Sequence, residues 1–135
     1  MAQEGAKFSG SAADVSRLGV KRPTLVDMLD LAKELADVRL RKPWPSGMFS
    51  KVLLKADDLR LVLIAMENGA IMKEHAANGT VTIHAFEGSL CVHTPEQAYD
   101  LNEGKVLTLA PGMKHDVEAR EDCAFLLTIA WCAMK

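Results

Sequence analysis

Hydrophobic and polar positions change rhythm near residue 47. Before that point Leu25, Met28, Leu29, Ala32, Leu35 and Ala36 recur at helical spacing, with Asp30, Lys33, Glu34 and Asp37 between them. This is the period of an amphipathic helix. Thr24-Leu25-Val26-Asp27 has the form of a capping sequence, the Thr24 hydroxyl accepting from the Asp27 amide. The expectation is one helix opened by Pro23 and Thr24 and running to about Val38. Arg39, Arg41 and Lys42 follow as a solvated helix end. Pro43-Trp44-Pro45-Ser46-Gly47 then breaks the helix and forces an extended passage, with Trp44 placed to cap the core edge.

From Met48 onward short apolar runs alternate with turn residues. The pattern predicts strands near Phe49–Lys55, Leu59–Met66, Ile71–Glu74, Val81–Phe86, Leu90–His93, Ala98–Leu101, Val106–Leu109, His115–Glu118 and Ala124–Trp131. The breaks carry Asp57-Asp58, Asn68-Gly69, Asn78-Gly79, Glu87-Gly88, Thr94-Pro95, Asn102-Glu103-Gly104 and Pro111-Gly112. Each supplies a residue that pre-sets a turn or tolerates positive φ. Eight or nine short strands without crossover helices argue for an antiparallel sandwich or barrel and against a parallel α/β sheet. Leu61–Met66 and Phe125–Ile129 are apolar on both faces, so something must cover their outer side. The helix can cover one patch, and a second copy of the chain the other, which gives the expectation of a homodimer.

Composition narrows the class. Lys and Arg total 16 against 18 Asp and Glu in 135 residues, a formal charge of −2 that offers no grip on phosphate backbones. Hydrophobic residues make up 49%, enough for one domain with a real core. No apolar run approaches the ~20 residues that span a bilayer, and the start reads as no secretory signal. Neither nucleic acid nor membrane is expected as a partner, and the expected location is cytoplasmic. Cys91, Cys123 and Cys132 have no metal-knuckle spacing and read as three buried thiols. The expected layout is a tail over 1–22, a helical arm with a Pro/Trp linker over 23–46, and a β-barrel over 47–135.

Four histidines, His75, His84, His93 and His115, carry the candidate chemistry. They form no His-x-His, no His-Glu-x-x-His and no pair on one helix face. Two longer spacings are informative. Gly69 lies six residues before His75, and Glu87-Gly88 follows at a later hairpin. Gly104-Lys105-Val106-Leu107-Thr108-Leu109-Ala110-Pro111-Gly112-Met113-Lys114-His115 repeats the logic of glycine turn, short apolar strand, Pro-Gly and histidine. Over roughly residues 47 to 132 this resembles the two signature motifs of the small single-domain cupins. The resemblance places the family's first metal histidine on His75 and its motif-two histidine on His115. The second histidine position is Ala77 and the acidic ligand position Val81. The motif-two proline position is Ala110, with Pro111 one place later, and the final asparagine position is Ala119.

The resemblance implies an all-β, cupin-type jelly-roll barrel or sandwich behind the N-terminal amphipathic helix. It also implies a lumen of the kind that holds iron, manganese, nickel or zinc in the family, whose members include dioxygenases, isomerases, decarboxylases and non-catalytic binding proteins. Strand parity adds a reading of its own: if His75 points inward, so do Lys73 and Ala77, and Val81, Ile83 and Ala85 line the lumen while His84 faces away. Likewise His115 and Val117 point in, Asp116 and Glu118 out; a bulge would reverse such parity locally. The expected function is binding of a small molecule in the lumen by His75, Ala77, Val81, Ile83, His115 and Val117. The two histidines are the candidates for metal ligation or acid–base catalysis. The alternatives are a metal-dependent (Fe, Mn, Ni or Zn) cupin enzyme such as a dioxygenase or isomerase, and a non-catalytic structural or interaction protein.

Overall fold

A computed structural model describes residues 26–132. The expected tail, Pro23 and the Thr24 cap lie outside the described residues. Five strands form one antiparallel sheet: β1 (Met48–Lys55), β2 (Leu59–Met66), β4 (Thr80–Glu87), β7 (Val106–Leu109) and β9 (Cys123–Ala130), in the order β1-β2-β9-β4-β7. The other four form the second: β3 (Ile71–His75), β5 (Ser89–His93), β6 (Ala98–Asn102) and β8 (His115–Ala119), in the order β3-β8-β5-β6. Every expected strand is present, because turn residues bound each one. Gly88 shows how strict that is: it sits at φ +76, and a Cβ there would lie 2.2 Å from the Asp122 carbonyl oxygen.

The inner faces meet in one core that includes Val62, Ile64, Met66, Ile83, Leu90, Val117, Phe125 and Leu127. The outer face of the larger sheet carries a second cluster, in which Leu35, Val38 and Trp44 cover Leu53, Leu63, Ala65 and Ala124. The doubly apolar β2 and β9 are thus explained, one face by the opposite sheet and the other by the helix. Lys51 on β1 fastens this helix through Glu34 (2.7 Å) and Asp37 (3.0 Å).

The helix itself corrects the sequence reading. It spans Leu31–Arg39 (α1), with Asp30 as N-cap accepting from the Lys33 amide at 3.1 Å. Residues 26–30 are not helical, and Met28, counted in the apolar stripe, is 90% exposed. An Asp cap in front of a Leu-Ala run competes successfully with propagation from further upstream, because its side chain satisfies an end amide that a continuing helix would use internally. Trp44 is buried as expected, its indole N–H donating to the Val38 carbonyl at 3.2 Å.

The connections define two ends of the sandwich. Residues 76–79 and 110–114 cross between sheets at one end, where the β5–β6 hairpin also turns. At this end the innermost row of the larger sheet runs Arg60, Ile129, Val81 and Leu109 by cross-strand register. The facing row of the smaller sheet begins with His75 opposite His115. This end, the mouth, holds the candidate site.

Candidate functional site

His75 and His115 are register partners across β3 and β8, and their rings meet edge to face with centroids 4.3 Å apart and planes at 61°. A β-bulge sets this up. Met72 pairs with Val117 and His75 with His115, so Lys73 and Glu74 on β3 stand opposite the single Asp116 on β8. Met72 and His75 therefore both face inward, whereas Lys73, expected inside from simple alternation, is exposed. The extra residue rotates it out.

Backbone carbonyls fix both rings. His75 Nδ1 lies 2.8 Å from the Lys73 carbonyl oxygen and His115 Nδ1 3.1 Å from that of Met113. A carbonyl oxygen only accepts, so in each case Nδ1 carries the proton and Nε2 of the neutral ring keeps its lone pair. Both Nε2 atoms are buried, and that of His115 has no hydrogen-bond partner among the described residues. Burial, reinforced by the neighbouring His75, holds His115 below the ordinary imidazole value, with the Met113 carbonyl opposing the shift. The neutral, lone-pair-bearing form is thus favoured at physiological pH.

The other expected lumen residues are all buried in the main core: Ala77, Val81, Ile83 and Val117 are at most 4% exposed. Glu118 stays outside, 3.7 Å from Arg120. At the mouth the loops are tied together. Gly112 donates to the Ala77 carbonyl at 2.7 Å, and the Trp131 indole N–H donates to Asn78 at 2.6 Å. A cavity of about 240 Å³ opens beside this end, with Thr94, Tyr99, Leu109 and Met113 in its wall. Met113 joins it to the pair, since its carbonyl holds the His115 ring.

One mouth residue, Arg60, was missed in the sequence. Arg60, 4% exposed, and His115 are the buried polar or charged residues among those described. Arg60 shares the inward parity of Val62, Ile64 and Met66, which was the available signal; the apolar run beginning at Leu61 drew attention away from it. Its guanidinium lies over the Trp131 ring, 5.2 Å from the centroid.

His93 lies on the opposite, outer face of the smaller sheet. Its Nδ1 is 2.6 Å from Asp116 and its Nε2 3.7 Å from the Cys91 thiol. Burial raises the Cys91 pKa, which keeps that thiol protonated. Cys91 and Cys123 are buried as expected, whereas Cys132 is exposed, a correction that follows from the strand ending at Ala130.

A cupin metal centre with the family's full ligand set does not fit these residues. Methyl and isopropyl side chains stand at Ala77 and Val81, the positions to which the motif resemblance assigns the two remaining ligands. Among the described residues no group of three or more His, Cys, Asp or Glu side chains is placed to hold a metal. The pair offers two nitrogen donors.

No protein-family model matches the sequence, and no curated protein matches it. Solved structures do. A conserved protein of unknown function from Streptococcus pyogenes superposes with a TM-score of 0.66 at 19% identity, over 84% of this chain and 94% of that one. A cupin superfamily protein from Desulfitobacterium hafniense gives 0.66 at 16% identity, over 84% and 98%. An oxalate decarboxylase from Bacillus subtilis gives 0.60 at 19% identity over 68% of this chain, which spans only 27% of that one. At such identities the likeness establishes the architecture. The chain has the cupin jelly-roll fold.

Proposed function

We propose that this cupin-fold protein binds a small molecule at the mouth of its lumen, against His75 and His115, with Ala77, Val81, Ile83 and Val117 as the apolar floor. The observation that carries the reading is the pair of carbonyl-anchored imidazoles, whose neutral tautomer leaves a partnerless acceptor at His115 Nε2 in a buried setting. A buried acceptor without a donor is costly, and a ligand hydroxyl or N–H removes that cost. Beside this mouth lies a cavity of about 240 Å³ with Leu109 and Met113 in its wall. Ligand binding to the folded state raises the melting temperature by linkage. A screen of small polyols, amides and organic acids is expected to yield compounds that do so, and His115→Gln is expected to abolish the shift. A screen without any shift overturns the reading.

A divalent metal (Fe, Mn, Ni or Zn) is the second reading, favoured by one specific observation. Holding Nδ1–H on a backbone carbonyl is also how a protein orients a histidine for metal ligation through Nε2. His75 and His115 would supply two donors, and solvent or ligand the rest. An enzyme of this type is expected to retain metal after purification without chelator and to lose it in His75→Ala and His115→Ala. Less than about a tenth of an equivalent after loading with all four metals removes this reading. No helix among the described residues is long and apolar enough to cross a membrane. Phe49, Leu61 and Leu126 stay only half-buried at the margin of α1, and a second copy of the chain is proposed to cover them. Monomeric elution at micromolar concentration would count against that dimer.

A further inference from the structure

We infer that the cavity between the edge strands β6 and β7 is a ligand site in its own right, and that it takes a small organic ammonium ion, a short apolar body carrying one amine. The site does not depend on the lumen reading above. β6 ends the smaller sheet and β7 the larger, and no ladder joins them, so the sandwich stays open along this seam. The cavity is walled from both sides of the seam, by Tyr99 of β6 and by Leu107 and Leu109 of β7. At about 240 Å³ it is smaller than the roughly 300–1,000 Å³ of pockets for drug-sized molecules, which bounds the ligand. Leu109 belongs to the main core, and Tyr99 and Leu107 pack against it while keeping part of their surface open, so this apolar wall is preformed. Met113, 40% exposed, completes it with a flexible thioether that adapts to the shape of an apolar body.

The charge in this wall has one sign. Among the described residues Glu96 is its only charged side chain and Tyr99 its only aromatic one. The turn that carries Glu96 is fixed. The Thr94 amide donates to the Gln97 carbonyl at 2.9 Å, and the Thr94 hydroxyl donates to the same oxygen at 3.0 Å while accepting from the Gln97 amide at 3.3 Å. That hydroxyl is engaged within the turn, which leaves the Glu96 carboxylate as the polar group that selects a ligand. Further along the seam a second hollow shares Tyr99 and Leu107 and adds Asp100 and Lys105, whose charges offset each other. A carboxylate beside a phenol ring and aliphatic side chains suits a cation with an apolar body. The ammonium gains from the carboxylate and from the aromatic π system, and the body gains by leaving water. A neutral analogue loses both electrostatic contributions, and an anion is repelled.

The test titrates the full chain with phenethylamine, phenethyl alcohol and hydrocinnamate by isothermal titration calorimetry at neutral pH and low ionic strength. The amine is expected to bind about fivefold or more tightly than the alcohol, the combined scale of one exposed ion pair and one cation–π contact, and the acid more weakly than the alcohol. Raising the salt to about 0.5 M is expected to narrow the preference. Glu96→Gln is expected to weaken the amine and leave the alcohol unchanged, and Tyr99→Leu to weaken the amine by removing the aromatic ring. Glu96 is exposed, so its replacement leaves the packing intact; should Tyr99→Leu fail to fold by circular dichroism, Glu96→Gln alone decides. An amine seated in the lumen instead would keep its preference in Glu96→Gln, and that result overturns the inference. Equal binding of amine and alcohol, a preference for the acid, or no binding of the amine at millimolar concentration overturns it as well. None of these outcomes bears on the reading of His75 and His115.

Discussion

His75 and His115 face each other across one rung of the β3–β8 ladder, with ring centroids 4.3 Å apart and each ring anchored through Nδ1 to the carbonyl two residues before it. The arrangement is stable only while at least one ring is neutral, because two imidazolium ions at this separation repel. Burial favours the neutral form of His115. The pair is therefore both a buried acceptor and a pH-dependent element of the fold.

The sign of that dependence is fixed. The folded-state pKa of His115 lies below the unfolded value of 6.5. Its contribution is complete above that value and is lost as pH falls from it through the lowered folded value, because only the unfolded chain takes up the proton in that window. Urea unfolding from pH 7.5 down to 5 is expected to show falling stability in the natural chain and a flatter profile in His115→Gln. Identical slopes would refute the assignment.

Leu35, 3% exposed, joins α1 to the outer face of the larger sheet. Leu35→Ala is expected to cost about 2–5 kcal/mol, the range for truncating a buried leucine. Trp44 emission should report the loosening, since its indole is bonded to Val38 in the same helix. A loss below half a kcal/mol with unchanged emission would mean that the helix is not part of the cooperative fold.

Gly79 permits the close approach that ties the mouth loop to the end of β9. A Cβ there would stand 2.5 Å from the Ala130 carbonyl oxygen and 3.0 Å from the Trp131 ring. Gly79→Ala is expected to destabilise by about 1–3 kcal/mol, the usual cost of overpacking. It should also red-shift Trp131 emission in a Trp44→Phe background as the bond to Asn78 breaks. A neutral substitution would show that this loop is loosely held.

The three thiols should separate by reactivity. Cys91 and Cys123 are buried and Cys132 is exposed, and burial pushes the Cys123 thiol up to about 12. Ellman's reagent is expected to titrate one thiol rapidly in the native protein and three after denaturation. Rapid reaction of more than one would contradict the packing around β5 or β9.

Strand positions and turns were legible in the sequence because they depend on nearest neighbours. An alternating or doubly apolar run bounded by Asn-Gly, Thr-Pro or Pro-Gly has few other ways to bury itself. The inward orientation of His115 and Val117 followed from the same period of two. The start of α1 was misplaced because Thr24 and Asp30 present the same kind of cap, and local pattern alone does not rank them. Packing ranks them: Leu35 and Val38 find Leu63 and Ala124, whereas Met28 stays exposed among the described residues.

By itself, then, the chain determined its strands and its turns, which follow from local sterics and hydrophobic period; the convergence of the two histidines was legible only through the resemblance to the cupin motifs. Tertiary structure alone decided that a bulge expels Lys73 and that Arg60 shares a barrel end with His115. Register between strands distant in sequence is set by the summed burial of many side chains, and no single segment carries that sum.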